Sequence, residues 1–275
     1  MPNLDAAAAL ALLVWSVEMG ADDAIADTPP DRFAAPAASA AGKSLAAAAE
    51  VPAATVAPPR ALAESLAEAA QSARLIAARA DTVEALGLAI TQFDGCALKR
   101  TATNTVFVDG NPQAPVLLLG EGPGAEEDRT GRPFVGRAGQ LLDRMLAAIG
   151  LDRGGVLISN VVYWRPPGNR TPSAAEIAAC LPFVMRLVVL VRPKVLVLLG
   201  GTAAQALLPQ GQGITRLRGR WFDLAVPGLD EPVPTLPMFH PSFLLRTPER
   251  KREAWRDLVA LKARLDALDA AVERS

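Results

Sequence analysis

The chain has little sulfur, little imidazole and few rings. Its 275 residues include 2 cysteines, 1 histidine and 1 tyrosine, and aromatic residues make up 5% of it. Two cysteines, Cys96 and Cys180, are too few for the disulfide framework of a secreted protein, so a reducing cytoplasm is expected. No Lys or Arg precedes the opening apolar run, which carries Asp5 instead, so that run reads as a helix rather than a secretion signal. No uninterrupted apolar run of about 18 residues follows it, and no membrane span is expected. No internal repeat of useful length is visible. No Gly-Lys-Ser/Thr follows the glycines at 120–124, which excludes a phosphate-binding P-loop.

What is present is mainly apolar. Hydrophobic residues make up 51% of the chain, enough for the core of one large domain or two small ones, and a wholly disordered chain is excluded. The formal net charge of −1 conceals a division. Residues 1–90 hold 5 Lys and Arg against 11 Asp and Glu, whereas residues 91–275 hold 23 against 18. A basic body of this kind suits a polyanion, and the acidic arm does not.

Residues 4–19 read as an amphipathic helix with Leu10, Leu13, Val14 and Val17 near one face, within an N-terminal segment 1–27. Residues 28–60 are mostly Ala and Pro and lack the large side chains that would offset the entropy of ordering them, so they read as a linker. Residues 61–275 form the main domain. It begins with helical stretches at about 61–80 and 82–92 and continues as an alternation of strands and helices. Strands are expected at Val116–Leu119, Val156–Ser159, Val195–Leu199 and Thr235–Phe239, each a short apolar run of the buried parallel kind. Helices are expected at Ala138–Ile149, Ala174–Val191, Thr202–Leu208 and from Pro248 to about Leu268. The pattern implies an α/β fold: a three-layer α/β/α sandwich around a central, mostly parallel four-stranded sheet, with an N-terminal helical extension. Ligands of such sheets bind beyond the carboxyl ends of the strands.

The loop after the first of these strands opens Gly120-Glu-Gly-Pro-Gly. Gly120, Gly122 and Ala125 satisfy the dinucleotide pattern G-x-G-x-x-G/A, but Glu121, Glu126, Glu127 and Asp128 would repel a pyrophosphate, and the next helix is expected only near Ala138. So acidic a loop suits an uncharged polar ligand or a positioned water. The second strand ends in Asn160, whose amide offers the donor and acceptor needed to read an amide-like edge. The fourth ends in His240, followed by Pro241 and Ser242. A single histidine carries little by itself, but its place at a strand end sets it apart.

These segments resemble the family 4 uracil-DNA glycosylases. The likeness rests on Gly120-Glu-Gly-Pro-Gly, Glu127-Asp128, the run from Gly131 through Arg-Pro-Phe-Val-Gly-Arg-Ala-Gly-Gln-Leu-Leu, the Arg165–Arg170 segment, Gly219-Arg-Trp and His240-Pro-Ser. It covers about Cys96 to the last helix, roughly two thirds of the chain. The resemblance implies a monofunctional, lyase-free DNA repair enzyme that flips uracil out of DNA and hydrolyses its N-glycosidic bond. By it, Phe134 would stack on the flipped ring, Asn160 would bond uracil O4 and N3–H, and Glu127 would crowd the methyl group of thymine. His240 would donate to O2, a contribution of about 3 to 4 kcal/mol in comparable anion holes. The backbone N–H groups of Glu121 and Gly122 would assist, and the Glu121 carboxylate would position water or steady the cationic sugar. Leu244 is the expected wedge in the vacated stack. Arg216, Arg218 and Arg220 are the expected phosphate contacts, with Arg137, Ser242 and Arg246 beside them.

One departure stands out. Most family 4 enzymes hold a four-iron cluster on four cysteines. Here Cys96 and Cys180 match two of those positions, while Phe93 and Trp164 occupy the other two. Two thiolates do not complete the site, so no cofactor is expected and the aromatic pair should fill the volume. The alternative is a cluster with unusual ligands or one shared between chains. The partner expected is uracil-containing DNA and the protein a monomer, with an unknown protein partner left open for the N-terminal arm. The rival readings are a binder of damaged or abasic sites with weak or broadened glycosylase activity, and a dinucleotide-dependent enzyme resting on the three loop residues alone.

Overall fold

Runs of Val, Leu and Ile with no polar break bury both faces of a strand, and such runs form the centre of a sheet in the computed structural model, which describes residues 59–208 and 211–272. The expected helix at 4–19 and the linker up to residue 58 lie outside the described residues. The strands are β1 (Asp109–Gly110), β2 (Val116–Gly120), β3 (Val156–Asn160), β4 (Val195–Leu199), β5 (Phe222–Leu224) and β6 (Val233–Met238). Their order across the sheet is β1-β3-β2-β4-β6-β5. The four central strands are parallel, with Val116 opposite both Val156 and Val195, and Leu196 opposite Thr235. These are the four expected from sequence. The edges β1 and β5 run antiparallel and add two strands to that expectation. They span 2 and 3 residues, too short to leave an apolar run.

The helices are α1 (Pro59–Ala78), α2 (Val83–Gln92), α3 (Ala125–Thr130), α4 (Arg137–Ala147), α5 (Ala174–Val191), α6 (Gly201–Leu207), α7 (Ile214–Leu217), α8 (Pro241–Arg246) and α9 (Lys251–Val272). Alternate strand residues point to opposite faces, so the sheet separates two cores. Leu117, Leu119, Leu157, Leu196 and Leu198 pack with α1, α2, α5 and α6. Val116, Leu118, Ile158, Val197 and Met238 pack with α4, α8 and α9. The result is the three-layer sandwich.

The helices differ from expectation in several places, and the short α7 and α8 add to those expected. The acidic loop is helical at α3, well before residue 138. Gly124 donates its N–H to the Glu127 carboxylate (3.1 Å), the carboxylates of the first turn suit a helix start, and Gly131 ends the helix at φ 71°. At the other end, Pro248–Arg250 forms a separate 3-10 turn before α9 begins at Lys251. Helix α5 matches its expected span. Its start is set by a reciprocal pair: Ser173 N–H donates to Glu176 (2.7 Å) and Glu176 N–H to Ser173 Oγ (3.3 Å). By length and composition alone α5, of mean hydropathy 2.1 over 18 residues, is apolar enough to cross a membrane. Here Cys180, Phe183, Val184 and Leu187 are wholly buried in the core under the sheet.

Candidate active site

Parallel strands in register end at one edge, and here that edge carries Gly120, Asn160, Gly200 and His240 at or just past the ends of β2, β3, β4 and β6. A cleft of about 550 Å³ opens over them, lined among others by Glu121, Glu127, Phe134, Asn160 and His240. Phe134, Asn160 and His240, drawn from three separate segments, thus share one cavity.

Asn160 is the most telling of them. It is 1% exposed, and its Oδ1 has no hydrogen-bond partner. An unmet buried amide oxygen costs about 1 to 3 kcal/mol, a cost that a ligand N–H would remove. Above it lies Phe134, whose ring centroid is 5.5 Å from that of His240 with the planes 30° apart. Gly120 keeps the slot open: a Cβ there would stand 2.5 Å from Asn160 Oδ1 and 2.6 Å from Phe134 Cζ. A flat, amide-edged ligand fits between ring and amide.

His240 is held by its own turn. The Ser242 backbone N–H donates to Nδ1 (3.1 Å), and the Ser242 hydroxyl lies 2.8 Å from the same atom. With Nδ1 an acceptor, the neutral ring carries its proton on Nε2. Burial, then the positive charge of Arg246, pushes the His240 pKa down to about 4. The ring is therefore an uncharged N–H donor at neutral pH.

The two glutamates have distinct surroundings. The Thr202 hydroxyl donates to Glu121 Oε2 (2.6 Å), which fixes that carboxylate at the cleft wall. Glu127 is already engaged: Oε1 accepts from the backbone N–H groups of Val135 (2.9 Å) and Gly136 (2.8 Å), and Oε2 from Gly124. Its carboxylate braces the segment carrying Phe134. Gly122 also lines the cleft, and a Cβ on it would meet Val162 Cγ2 at 2.6 Å.

Two of the expected DNA contacts require correction. Leu244 is 1% exposed and packs in the core with α4 and α9, so it is not available as a wedge; Leu245 beside it is partly buried. Arg218 turns inward, where it pairs with Asp257 and Glu253 and lies over the Phe239 ring at 5.4 Å. An arginine neutralised in this way has no charge to offer a phosphate. Arg220 is exposed but lies over Phe222 at 5.6 Å, and Arg137 and Arg216 are exposed outside the cleft lining. Arg246 and Ser242 line the cleft. The sequence gives no role to Thr202, which holds Glu121, and marks Pro166, Asn169 and Arg170 of the cleft rim only as part of the Arg165–Arg170 segment. Thr202 follows β4, where the strand-end rule already pointed.

Cys96 and Cys180 are both buried and hydrogen-bonded to each other. The hydrogen bond to Cys96 and then burial raise the pKa of the Cys180 thiol. Among the described residues no group of three or more His, Cys, Asp or Glu could hold a metal ion. Phe93 packs edge-on against Phe183 at 5.1 Å, and Trp164, 1% exposed, donates from Nε1 to Thr105 Oγ1 (3.0 Å). A four-thiolate cluster does not fit this donor set.

Comparison with known proteins accords with this geometry. The profile of the uracil DNA glycosylase superfamily matches residues 107–259. The chain is 42% identical over 169 residues to a type-4 uracil-DNA glycosylase of Thermotoga maritima, covering 61% of this chain and 85% of that one. It is 37% identical over 173 residues to a type-4 uracil-DNA glycosylase of Pyrobaculum aerophilum, covering 62% and 87%. A third such enzyme, of Archaeoglobus fulgidus, is 39% identical over 162 residues, covering 58% and 80%.

Proposed function

The chain belongs to the uracil DNA glycosylase superfamily, and within it to family 4; on that premise we propose how its cleft works. It excises uracil from DNA in repair, hydrolysing the N-glycosidic bond and leaving an abasic site. The observation that carries the residue assignments is the cavity shared by Phe134, Asn160 and His240, with the Asn160 amide oxygen unpaired inside it.

A uracil rotated out of the stack enters between Phe134 and Asn160. Asn160 Oδ1 accepts from uracil N3–H and its Nδ2 donates to O4, a pattern that cytosine does not match. As the C1′–N1 bond breaks, its electron pair moves onto the base and positive charge gathers on the sugar. Neutral His240 donates from Nε2–H to O2, where negative charge grows, and the backbone N–H groups of Glu121 and Gly122 act alongside it. The Glu121 carboxylate, held by Thr202, faces the sugar cation and orients the water that adds to C1′. The water's second proton leaves to solvent or to the departing base. Glu127 contributes by bracing the Phe134 segment and narrowing the cleft against a thymine methyl group.

DNA contacts fall to Arg246 at the cleft, to Arg137 and Arg216 beside it, and to Leu245 as the wedge. The locus of Cys96 and Cys180 holds no cluster, a reading supported by the two-thiol donor set and by the rings of Phe93 and Trp164 packed beside it. The enzyme works as a monomer in the cytoplasm.

Single-turnover release of uracil from an oligonucleotide tests the assignments. His240→Ala should slow cleavage by roughly two to three orders of magnitude with little change in DNA affinity. An unchanged rate would remove His240 from the mechanism.

A further inference from the structure

We propose that Arg153, which lies outside the cleft lining, is a positioning residue for Phe134, acting through the backbone of residues 132–136. The inference rests on the reading of Phe134 as the plate beneath the flipped base.

Phe134 has a left-handed backbone, at φ 55°. For a bulky residue this costs on the order of 1 to 3 kcal/mol and persists only where the surroundings over-determine it. Several contacts do so here. Glu127 holds the amides on the far side of the residue, those of Val135 and Gly136. Arg153 holds the carbonyls on the near side, Nη2 donating to Phe134 O and Nη1 to Pro133 O (3.3 Å). Beneath them Gly139, inside α4, lets the helix pass so close that a Cβ on it would lie 1.7 Å from Phe134 O.

The guanidinium is itself fixed from behind. Its Nε donates to Asp143 Oδ1 (3.0 Å) and its Nη1 to Asp109 Oδ2. Asp109 sits in edge strand β1 and also takes Arg132 at 3.1 Å, so the residue at the start of the segment is tied to the same carboxylate. Asp152 caps the turn that presents Arg153, accepting from Gly154 N–H (2.9 Å) and Gly155 N–H (3.0 Å). One planar fork thus joins two carboxylates to two backbone carbonyls. A lysine ammonium, a point donor, does not span both sets. Arg153 is absent from the cleft lining, so its influence on a bound base passes through the ring it orients.

A double-mutant cycle on the full chain separates this role from mere stability. Arg153→Gln should slow single-turnover uracil release by about tenfold in the parent enzyme, yet by less than about twofold when Phe134→Ala is already present. The accompanying fall in Tm should be equal in both backgrounds, because the ion pairs to Asp109 and Asp143 are lost in each. A tenfold loss of rate in both backgrounds would overturn the proposal, as would no loss in either while Phe134→Ala alone is slow. If Phe134→Ala alone leaves the rate intact, the stacking assignment fails and this inference with it. Should Arg153→Gln not fold, Asp143→Asn loosens the guanidinium from its more exposed side. It should cost about threefold in rate, again only where Phe134 is present; an effect independent of Phe134 would refute the role.

Discussion

At the scale of the residue, the site is defined as much by missing atoms as by functional groups. Gly120 is the clearest case, since any side chain there would enter the gap between Asn160 and Phe134. Gly120→Ala is expected to lower single-turnover uracil release by about a hundredfold, the scale of a misplacement near 1 Å, while circular dichroism reports a folded protein. His240 makes a second prediction. With its pKa near 4 against the usual 6.5, the ring stays neutral down to mildly acid pH, so its titration should not depress the rate between about pH 5.5 and 8. Stability behaves differently. The unfolded chain takes up the proton at the higher pH, so the contribution is intact above 6.5 and is lost as pH falls toward 4. Tm measured across that window should decline more steeply for the parent enzyme than for His240→Gln. His240 and Asn160 were legible in the sequence because each is a chemically distinctive residue at a strand end. The state of the ring was not, because it depends on a backbone N–H from Ser242 and on depth of burial.

At the scale of the element, what could be read from sequence depended on how long a pattern lasted. Apolar runs such as Val195–Leu199 and the 18-residue span of α5 gave their positions away, whereas Asp109–Gly110 and Phe222–Leu224 hold too few residues to do so. Direction within a short element was lost in the same way. In the six residues of α8 nothing but packing decides that Leu244 faces the core while Phe243 and Arg246 reach the cleft. Arg218 reads from sequence as a surface cation because its partners, Glu253 and Asp257, lie on α9, far along the chain. The two leucines of α8 should therefore separate by experiment. Leu244→Ala should cost about 2 to 5 kcal/mol of stability, as buried truncations do, and Leu245→Ala should weaken binding to uracil-containing duplex with a smaller change in Tm. Urea denaturation and duplex titration of both variants check the assignment.

At the scale of the whole molecule, the sheet divides the interior into two cores, and the one facing α1, α2 and α5 contains the two thiols and the rings around them. Protein purified anaerobically should be colourless and contain no stoichiometric iron; brown protein with visible absorption would contradict the reading. On the reading proposed for that locus each cysteine contributes as a small buried side chain rather than as a ligand, so Cys96→Ser should remain folded and active; a loss of both would count against it. The substitutions at 93 and 164 were plain in the sequence, but that Phe93 meets Phe183 and Trp164 meets Thr105 required the fold. Those contacts bear on what the cell must supply. On the reading proposed for that locus, an interior closed by hydrocarbon needs no iron delivered to it, and uracil release by protein made in iron-starved cells should match that of protein made with iron in excess; a shortfall would count against the reading.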